Sequence, residues 1–352
     1  MRVQVIDLNE GDVLSRDTFN NFGLHVLSKG TTLQRYDIAR LIQHQIDYVD
    51  INDKPTTQTP ASRTIESTTS PKWLPTVEPI YKTAVSKFET LFSKALNDGE
   101  VDDDEVTATL QPLLSNLQLE RDVVSMLLLL NTSDDYTYQH SVQVGMLSYY
   151  LATWVGYDNK ESLQIGKAGF LHDIGKCRID LDILNKPAKL TKDEFDEVKK
   201  HTLYGHEIIT KSFDEPYLAV SALQHHERVD GSGYPHGLKG EEIHPVAKII
   251  SVVDIYSAMI SERVYQQRRD LFDVLKELYN MSFAELDAFT THIFIKHMIP
   301  NFIGKKVELV TGEIGVIVMT HPTEFFQPLI RIDENFIDLT VERGYEIKQV
   351  YL

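Results

Sequence analysis

Between residues 138 and 260, imidazole and carboxylate side chains interrupt segments that are otherwise apolar. Asp254 lies within Val246–Ile260, where isoleucine and valine at neighbouring positions predict a buried helix. A carboxylate inside such a helix costs several kcal/mol unless another group neutralises it. The pattern therefore predicts a helical bundle that gathers these polar groups at its centre.

Five histidines share this kind of context. His140 has apolar residues at the fourth, seventh and eleventh positions after it, which places it on the inward face of its helix. Taken alone, it is more often a hydrogen-bonded core histidine than a ligand. Gly205, one turn after His201, leaves room beside that imidazole for another group. The complete set has five imidazoles and two carboxylates: His140, His172, Asp173, His201, His225, His226 and Asp254.

This set of side chains predicts a metal centre. Seven groups exceed the four ligands of one tetrahedral zinc ion, but they match two adjacent cations with Asp173 as the bridge. The single cysteine, Cys177, excludes a multi-cysteine zinc site and a disulfide framework. Imidazole and carboxylate ligands suit iron, manganese or other metals that accept octahedral geometry. A two-metal site favours hydrolysis of a phosphate ester by a bridging hydroxide.

A glycine- and proline-rich segment, His226–Gly240, follows directly after two of these histidines. Five glycines or prolines among fifteen residues exclude regular structure. The segment is either an ordinary connection between helices or a loop that shapes a pocket. Its length and its position beside the predicted ligands favour the pocket.

The charge balance limits the class of partner. The chain has 35 Lys and Arg against 52 Asp and Glu, which gives a formal charge of −17. This acidity argues against a long nucleic acid but not against a small phosphate ester held by two cations. The longest uncharged stretch, Ser141–Tyr157, is too short and polar to insert into a membrane. With one cysteine and no secretory signal, we expect a cytoplasmic protein.

Changes in composition divide the chain into five segments. Six of the eight residues in Asp98–Glu105 are acidic, and a solvated helix entry is favoured over a calcium loop because the glycine placement of such a loop is missing. After Pro300 the apolar period changes to two, which indicates strands at Lys306–Val310, Gly315–Met319 and Leu329–Ile332. The predicted segments are a small α/β N-terminal domain at 1–53, a Thr/Ser/Pro-rich linker at 54–72, connecting helices at 73–130, a catalytic domain at 131–300 and a β-rich extension at 301–352.

Two compound motifs resemble the signatures of the HD-GYP family of metal-dependent phosphohydrolases. Leu171–Lys176 (LHDIGK) is similar to the HD signature, and His225–Arg228 followed by Asp230–Pro235 is similar to the GYP signature. The resemblance implies a mainly α fold, with an HD-type all-helical bundle around a dinuclear metal centre. It also implies hydrolysis of cyclic di-GMP to pGpG and, in some members, onward to GMP.

The same resemblance implies residue roles. The seven polar residues above would be the metal ligands, with Asp173 and Lys176 catalytic. Lys176 would contact the substrate phosphate, and Tyr234 and Arg263 would also bind the dinucleotide. Some members hold a third metal through a glutamate four residues before the first histidine. Tyr136 stands at that position here, which predicts two metals only.

Three alternatives stay open at this point. The substrate could be another cyclic dinucleotide, such as 3′,3′-cGAMP, or a nucleotide of the kind used by the wider HD group. The chain could instead sense cyclic di-GMP with little turnover. A homodimer and a signalling partner at the N-terminal domain are both compatible with the sequence.

Overall fold

Apolar side chains form two separate cores, one in each of two units at residues 1–69 and 70–352. The structure is a computed structural model that describes residues 2–5, 8, 11–19, 25–34, 37–38, 41, 46, 48–52, 74–116, 136–186, 188–260 and 271–351. In the described ranges no helix combines the length and the apolar character that crossing a bilayer requires.

The N-terminal unit contains four short strands in two antiparallel pairs. Strands β1 (Arg2–Gln4) and β4 (Tyr48–Asp50) form one pair, and β2 (Thr18–Phe19) and β3 (His25–Leu27) form the other. Leu14, Leu33 and Leu41 are among its buried core residues. The apolar spacing at residues 32–46 predicts a helix in this unit, but most of these residues lie outside the described ones.

The second unit is mainly helical, as predicted. Its helices are α1 (Leu74–Asp98), α2 (Asp103–Asn116), α3 (Tyr136–Val155), α4 (Asn159–Leu171), α5 (Leu181–Leu184), α6 (Lys192–Lys199), α7 (His201–Ser212), α8 (Pro216–Gln224), α9 (Pro245–Ile260), α10 (Leu271–Met281) and α11 (Ala288–Met298). A short 3₁₀ helix at Ile174–Arg178 follows α4.

Local capping explains where several of these helices begin. Asp158 and Glu161 form a capping box at the start of α4, and Thr191 and Glu194 form another before α6. The acidic run at 98–105 leads into α2, whose first turn is acidic and therefore complements the helix dipole. This agrees with the predicted helix entry.

A five-stranded antiparallel sheet follows the helices. Its order is β8 (Asn335–Asp338), β7 (Leu329–Ile332), β6 (Ile314–Met319), β5 (Lys306–Leu309) and β9 (Ile347–Tyr351). Strands β5, β6 and β7 lie where the sequence predicted them, whereas β8 and β9 were not predicted. Val307 and Ile330 join the same core cluster as the helices, so the sheet packs on the bundle. The finer domain boundaries stay predictions.

Candidate metal centre

The seven predicted ligands meet at the centre of the helical bundle. Six of them are buried, and His226 is partly buried. They come from separate elements: α3 carries His140, α4 is followed by His172 and Asp173, α7 begins with His201, α8 is followed by His225 and His226, and α9 carries Asp254.

The ligands divide into two groups, each able to hold one metal ion. Within each group, the candidate ligand atoms lie within 4.8 Å of one another. The first group contains Asp173, His201, His225 and His226, and the second contains His140, His172 and Asp254.

Asp173 lies between the two groups, with one oxygen towards each. Its Oδ1 is 3.3 Å from His201 Nε2 and 3.8 Å from His225 Nε2. Its Oδ2 is 3.3 Å from His172 Nε2 and 4.0 Å from His140 Nε2. A carboxylate in this position can bridge two cations, which is the role predicted for it.

A close backbone contact sets the position of Asp173. A Cβ atom on Gly175 would lie 2.0 Å from the carbonyl oxygen of His201 and 2.3 Å from the nitrogen of Gly205. Only glycine therefore lets the 3₁₀ helix after Asp173 lie against α7. The room predicted beside His201 is occupied by this backbone.

Three of the histidines share one orientation. Their Nδ1 atoms lie 2.6–2.8 Å from the backbone carbonyl oxygens three residues earlier, which can only accept. Nδ1 must therefore carry a proton, and in the neutral imidazole Nε2 keeps a lone pair that faces the centre of the site. The three pairs are His172 with Gly169, His201 with Val198, and His225 with Ala222.

These lone pairs fit a cation. The Nε2 atoms of His201 and His225 face each other at 3.3 Å, and neither carries a proton when both imidazoles are neutral. His172 Nε2 and Asp173 Oδ1 are buried without a hydrogen-bond partner. Buried acceptors that face one another are costly unless a positive charge lies between them. The donor set therefore suits divalent metal ions.

Burial keeps most of the imidazoles neutral, as metal ligands must be. It lowers the pKa of His140, of His225 to about 3, and of His226 well below its usual value. Burial acts in the same direction on His172, but the carboxylates of Asp173 and Asp254 outweigh it and raise the pKa to about 10. Without a metal ion, His172 therefore takes a second proton on Nε2, and a divalent cation would replace that proton beside the two carboxylates.

Lys176 and Tyr234 both lie at the edge of this centre. Lys176 Nζ is 2.5 Å from Asp173 Oδ2, and a quarter of its side chain is exposed. The Tyr234 ring stacks on the ring of His226 with centroids 4.6 Å apart. Burial raises the pKa of Tyr234, so its hydroxyl stays protonated. Arg263 lies outside the described residues, as does the side chain of Tyr136.

A buried carboxylate organises the glycine-rich loop. Glu227 accepts hydrogen bonds from the backbone nitrogens of His236 and Leu238 at 2.7 and 3.0 Å. A Cβ on Gly233 would lie 2.4 Å from the carbonyl oxygen of His226, so the loop folds tightly against the ligand segment. Glu227 has no predicted role, although its place directly after two candidate ligands is a signal in the sequence that could have indicated one.

Comparison with known proteins identifies the domain that contains the site. Residues 123–288 match the HD domain family, and this range contains all seven candidate ligands. The chain carries an HD domain. The relatives described next also confirm its resemblance to the HD-GYP family, and an HD domain implies divalent metal ions.

Three curated relatives of this chain are phosphodiesterases. A cyclic di-GMP phosphodiesterase of Pseudomonas aeruginosa is 35% identical over 204 residues, which is 58% of this chain and 49% of the relative. One of Thermotoga maritima is 40% identical over 161 residues, 44% of each chain. A 3′3′-cGAMP-specific phosphodiesterase of Vibrio cholerae is 30% identical over 168 residues, 47% of this chain and 39% of the relative. The chain thus spans half or less of these relatives.

Proposed function

We propose that this chain is a metal-dependent phosphodiesterase that hydrolyses cyclic di-GMP to pGpG and onward to GMP. One observation carries the proposal: two groups of buried ligands share the carboxylate of Asp173. That arrangement suits a pair of cations, and two relatives of the chain are cyclic di-GMP phosphodiesterases.

We assign the metal site to the seven residues described above, with iron or manganese as the bound ions. Imidazole nitrogen and carboxylate oxygen, without thiolate, are ligands that both metals accept. Two such cations would supply Lewis acidity towards a phosphodiester and would lower the pKa of a bound water molecule, so that hydroxide is available as the nucleophile near neutral pH. The surrounding apolar helices exclude bulk water, which strengthens every charge interaction inside the site.

Lys176 is placed to neutralise the substrate phosphate. Its ammonium group already pairs with Asp173, and its partly exposed side chain can turn from that carboxylate towards a phosphate oxygen. One such donor contributes a few kcal/mol as charge develops in the transition state. The protonated hydroxyl of Tyr234 serves as a neutral donor to phosphate or ribose, and Arg263 adds a second cation by family resemblance.

An aromatic rim beside Tyr234 suits the bases of a dinucleotide. The Phe195 ring lies 6.2 Å from the Tyr234 ring, and its residue is 45% exposed. Lys199 Nζ lies 4.8 Å from the Phe195 centroid. An exposed ring next to a cation can stack a purine base and hold the backbone phosphate nearby.

3′,3′-cGAMP is the second candidate substrate, because one relative is specific for it. The two dinucleotides differ in one base only, so a shared metal centre would serve both. Their relative turnover depends on contacts with the bases, and side-by-side kinetics on one preparation decides between them.

The deciding experiment is product analysis with anaerobically purified protein loaded with Fe²⁺ or Mn²⁺. We expect two metal ions per chain and conversion of cyclic di-GMP to pGpG, then GMP. Protein that holds two ions and binds the dinucleotide without cleaving it would instead be a sensor. Protein that holds two ions and neither binds nor cleaves it contradicts the proposed substrate.

A further inference from the structure

We propose that Tyr81, Gln143 and Ser257 form a hydrogen-bond chain that sets which nitrogen of His140 carries the proton. The chain would thereby prepare the ligand group of His140, His172 and Asp254 for its metal ion. This inference rests on the proposed metal centre but not on the identity of the substrate.

The hydrogen-bond chain runs from His140 on α3 through Ser257 on α9, back to Gln143 on α3, and then to Tyr81 on α1. His140 Nδ1 lies 3.0 Å from Ser257 Oγ, and that hydroxyl donates to Gln143 Oε1 at 3.0 Å. Gln143 Nε2 then donates to the Tyr81 hydroxyl at 3.3 Å. Tyr81 donates in turn to the backbone carbonyl oxygen of Gln139 at 3.4 Å. Ser257 and Gln143 are fully buried, and Tyr81 is 2% exposed.

The carbonyl oxygen of Gln139, at the end of the hydrogen-bond chain, determines the direction of every hydrogen bond in it. It has no proton, so Tyr81 must donate to it and must accept from the Gln143 amide nitrogen. The amide oxygen then faces Ser257, whose single proton is used there. Towards His140, Ser257 can only accept. Nδ1 therefore carries the proton, and the lone pair is on Nε2.

This direction leaves His140 Nε2 as an acceptor that faces another acceptor, Asp254 Oδ1, at 3.0 Å. A cation between the two atoms resolves that contact. His172, His201 and His225 reach the same state directly, because each donates from Nδ1 to a backbone carbonyl oxygen. His140 reaches a backbone carbonyl oxygen through three side chains instead. Orientation of a ligating histidine by its other nitrogen is a general property of metal sites.

Tyr81→Phe tests the inference, because it removes the bond to the carbonyl oxygen and keeps the ring. The Gln143 amide can then rotate, Ser257 can donate to Nδ1, and the proton moves to Nε2 where the metal binds. Gln143→Met, which breaks the chain at its middle with a side chain of similar size, gives a second and independent variant.

The measurement is the Mn²⁺-to-protein ratio across a graded series of chelator concentrations. We expect wild type to hold two ions, and both variants to release one ion at a 10- to 100-fold lower chelator concentration while the other stays bound. Tyr256→Phe is the matched control, since Tyr256 is a buried tyrosine on α9 that is not part of the hydrogen-bond chain. It should release Mn²⁺ as wild type does.

Two results overturn the inference. Both variants could hold their two ions as tightly as wild type, in which case the chain does not prepare the site. Alternatively, both ions could be lost together with a lower Tm, which indicates a purely structural role. Wild-type protein that takes up no Mn²⁺ overturns the proposed metal centre as well.

Discussion

One carboxylate, Asp173, connects the two halves of the site. Its Oδ1 faces His201 and its Oδ2 faces His172, both at 3.3 Å. Lys176 and His172 outweigh burial and hold the pKa of this carboxyl well below its usual value, so it stays ionised. An ionised carboxylate at this position would be a ligand to both proposed cations, so its removal should affect the binding of both.

Asp173→Ala should lower the metal content from two ions to one or none and reduce turnover at least 100-fold. The change removes the shared ligand from both groups at once. Metal analysis together with turnover of cyclic di-GMP measures both effects. Asp182→Ala, at an exposed position nine residues later, is the control and should behave as wild type. A variant with two ions and a near-normal rate would refute the bridging role.

Phe195→Ala should raise KM for the dinucleotide about tenfold, with kcat little changed. The loss corresponds to ~1.4 kcal/mol, within the range for stacking of one base on an aromatic ring. Steady-state kinetics separates the two constants. Phe289→Ala removes a ring that is 64% exposed on α11, and KM should not change. If KM is unchanged in Phe195→Ala too, the bases bind elsewhere.

At the scale of elements, the 3₁₀ helix and α7 pack backbone to backbone at Gly175 and Gly205. Gly175→Ala should destabilise the protein by about 3 kcal/mol, because its new Cβ would overlap the carbonyl oxygen of His201. Gly344→Ala, where a Cβ meets nothing within 4 Å, should be nearly neutral. Chemical denaturation of the two variants makes the comparison. Equal stability of the two variants would mean that the 3₁₀ helix can shift away from α7 at little cost in free energy.

Sequence patterns predicted which residues meet at the centre of the bundle, because each candidate ligand is unusual in its own segment. An adjacent His172 and Asp173 in an apolar stretch needs no knowledge of distant residues. Gln143 and Ser257 were missed because a lone glutamine or serine in a helix is ordinary, and their importance comes from a contact 114 residues apart in sequence. The contact at Gly175 was missed for the same reason, because it depends on the backbone of another element. The role of Arg263 stays a prediction.

At the scale of the whole molecule, metal binding and folding of the second unit should be coupled. The ligands come from α3, α4, α7, α8 and α9, so the unfolded chain has no complete site. An ion that binds only the folded state adds about 2.7 kcal/mol of stability at a hundred times its Kd.

Removal of metal with a chelator should therefore lower the Tm, and addition of Mn²⁺ should restore it. Thermal unfolding with and without the ion gives the shift. Asp173→Ala serves as the control, since its weakened site should give little or no shift. Identical Tm values for loaded and stripped wild type would mean that the ions bind outside the bundle.

The spacing of the ligands along the chain also has a practical consequence. His140 and Asp254 are 114 residues apart, and no fragment that ends before α9 contains both. If the proposed site is right, a truncated or misassembled chain cannot hold both ions, whatever its secondary structure content. The ratio of metal to protein in a preparation therefore measures the fraction of molecules whose bundle has assembled correctly.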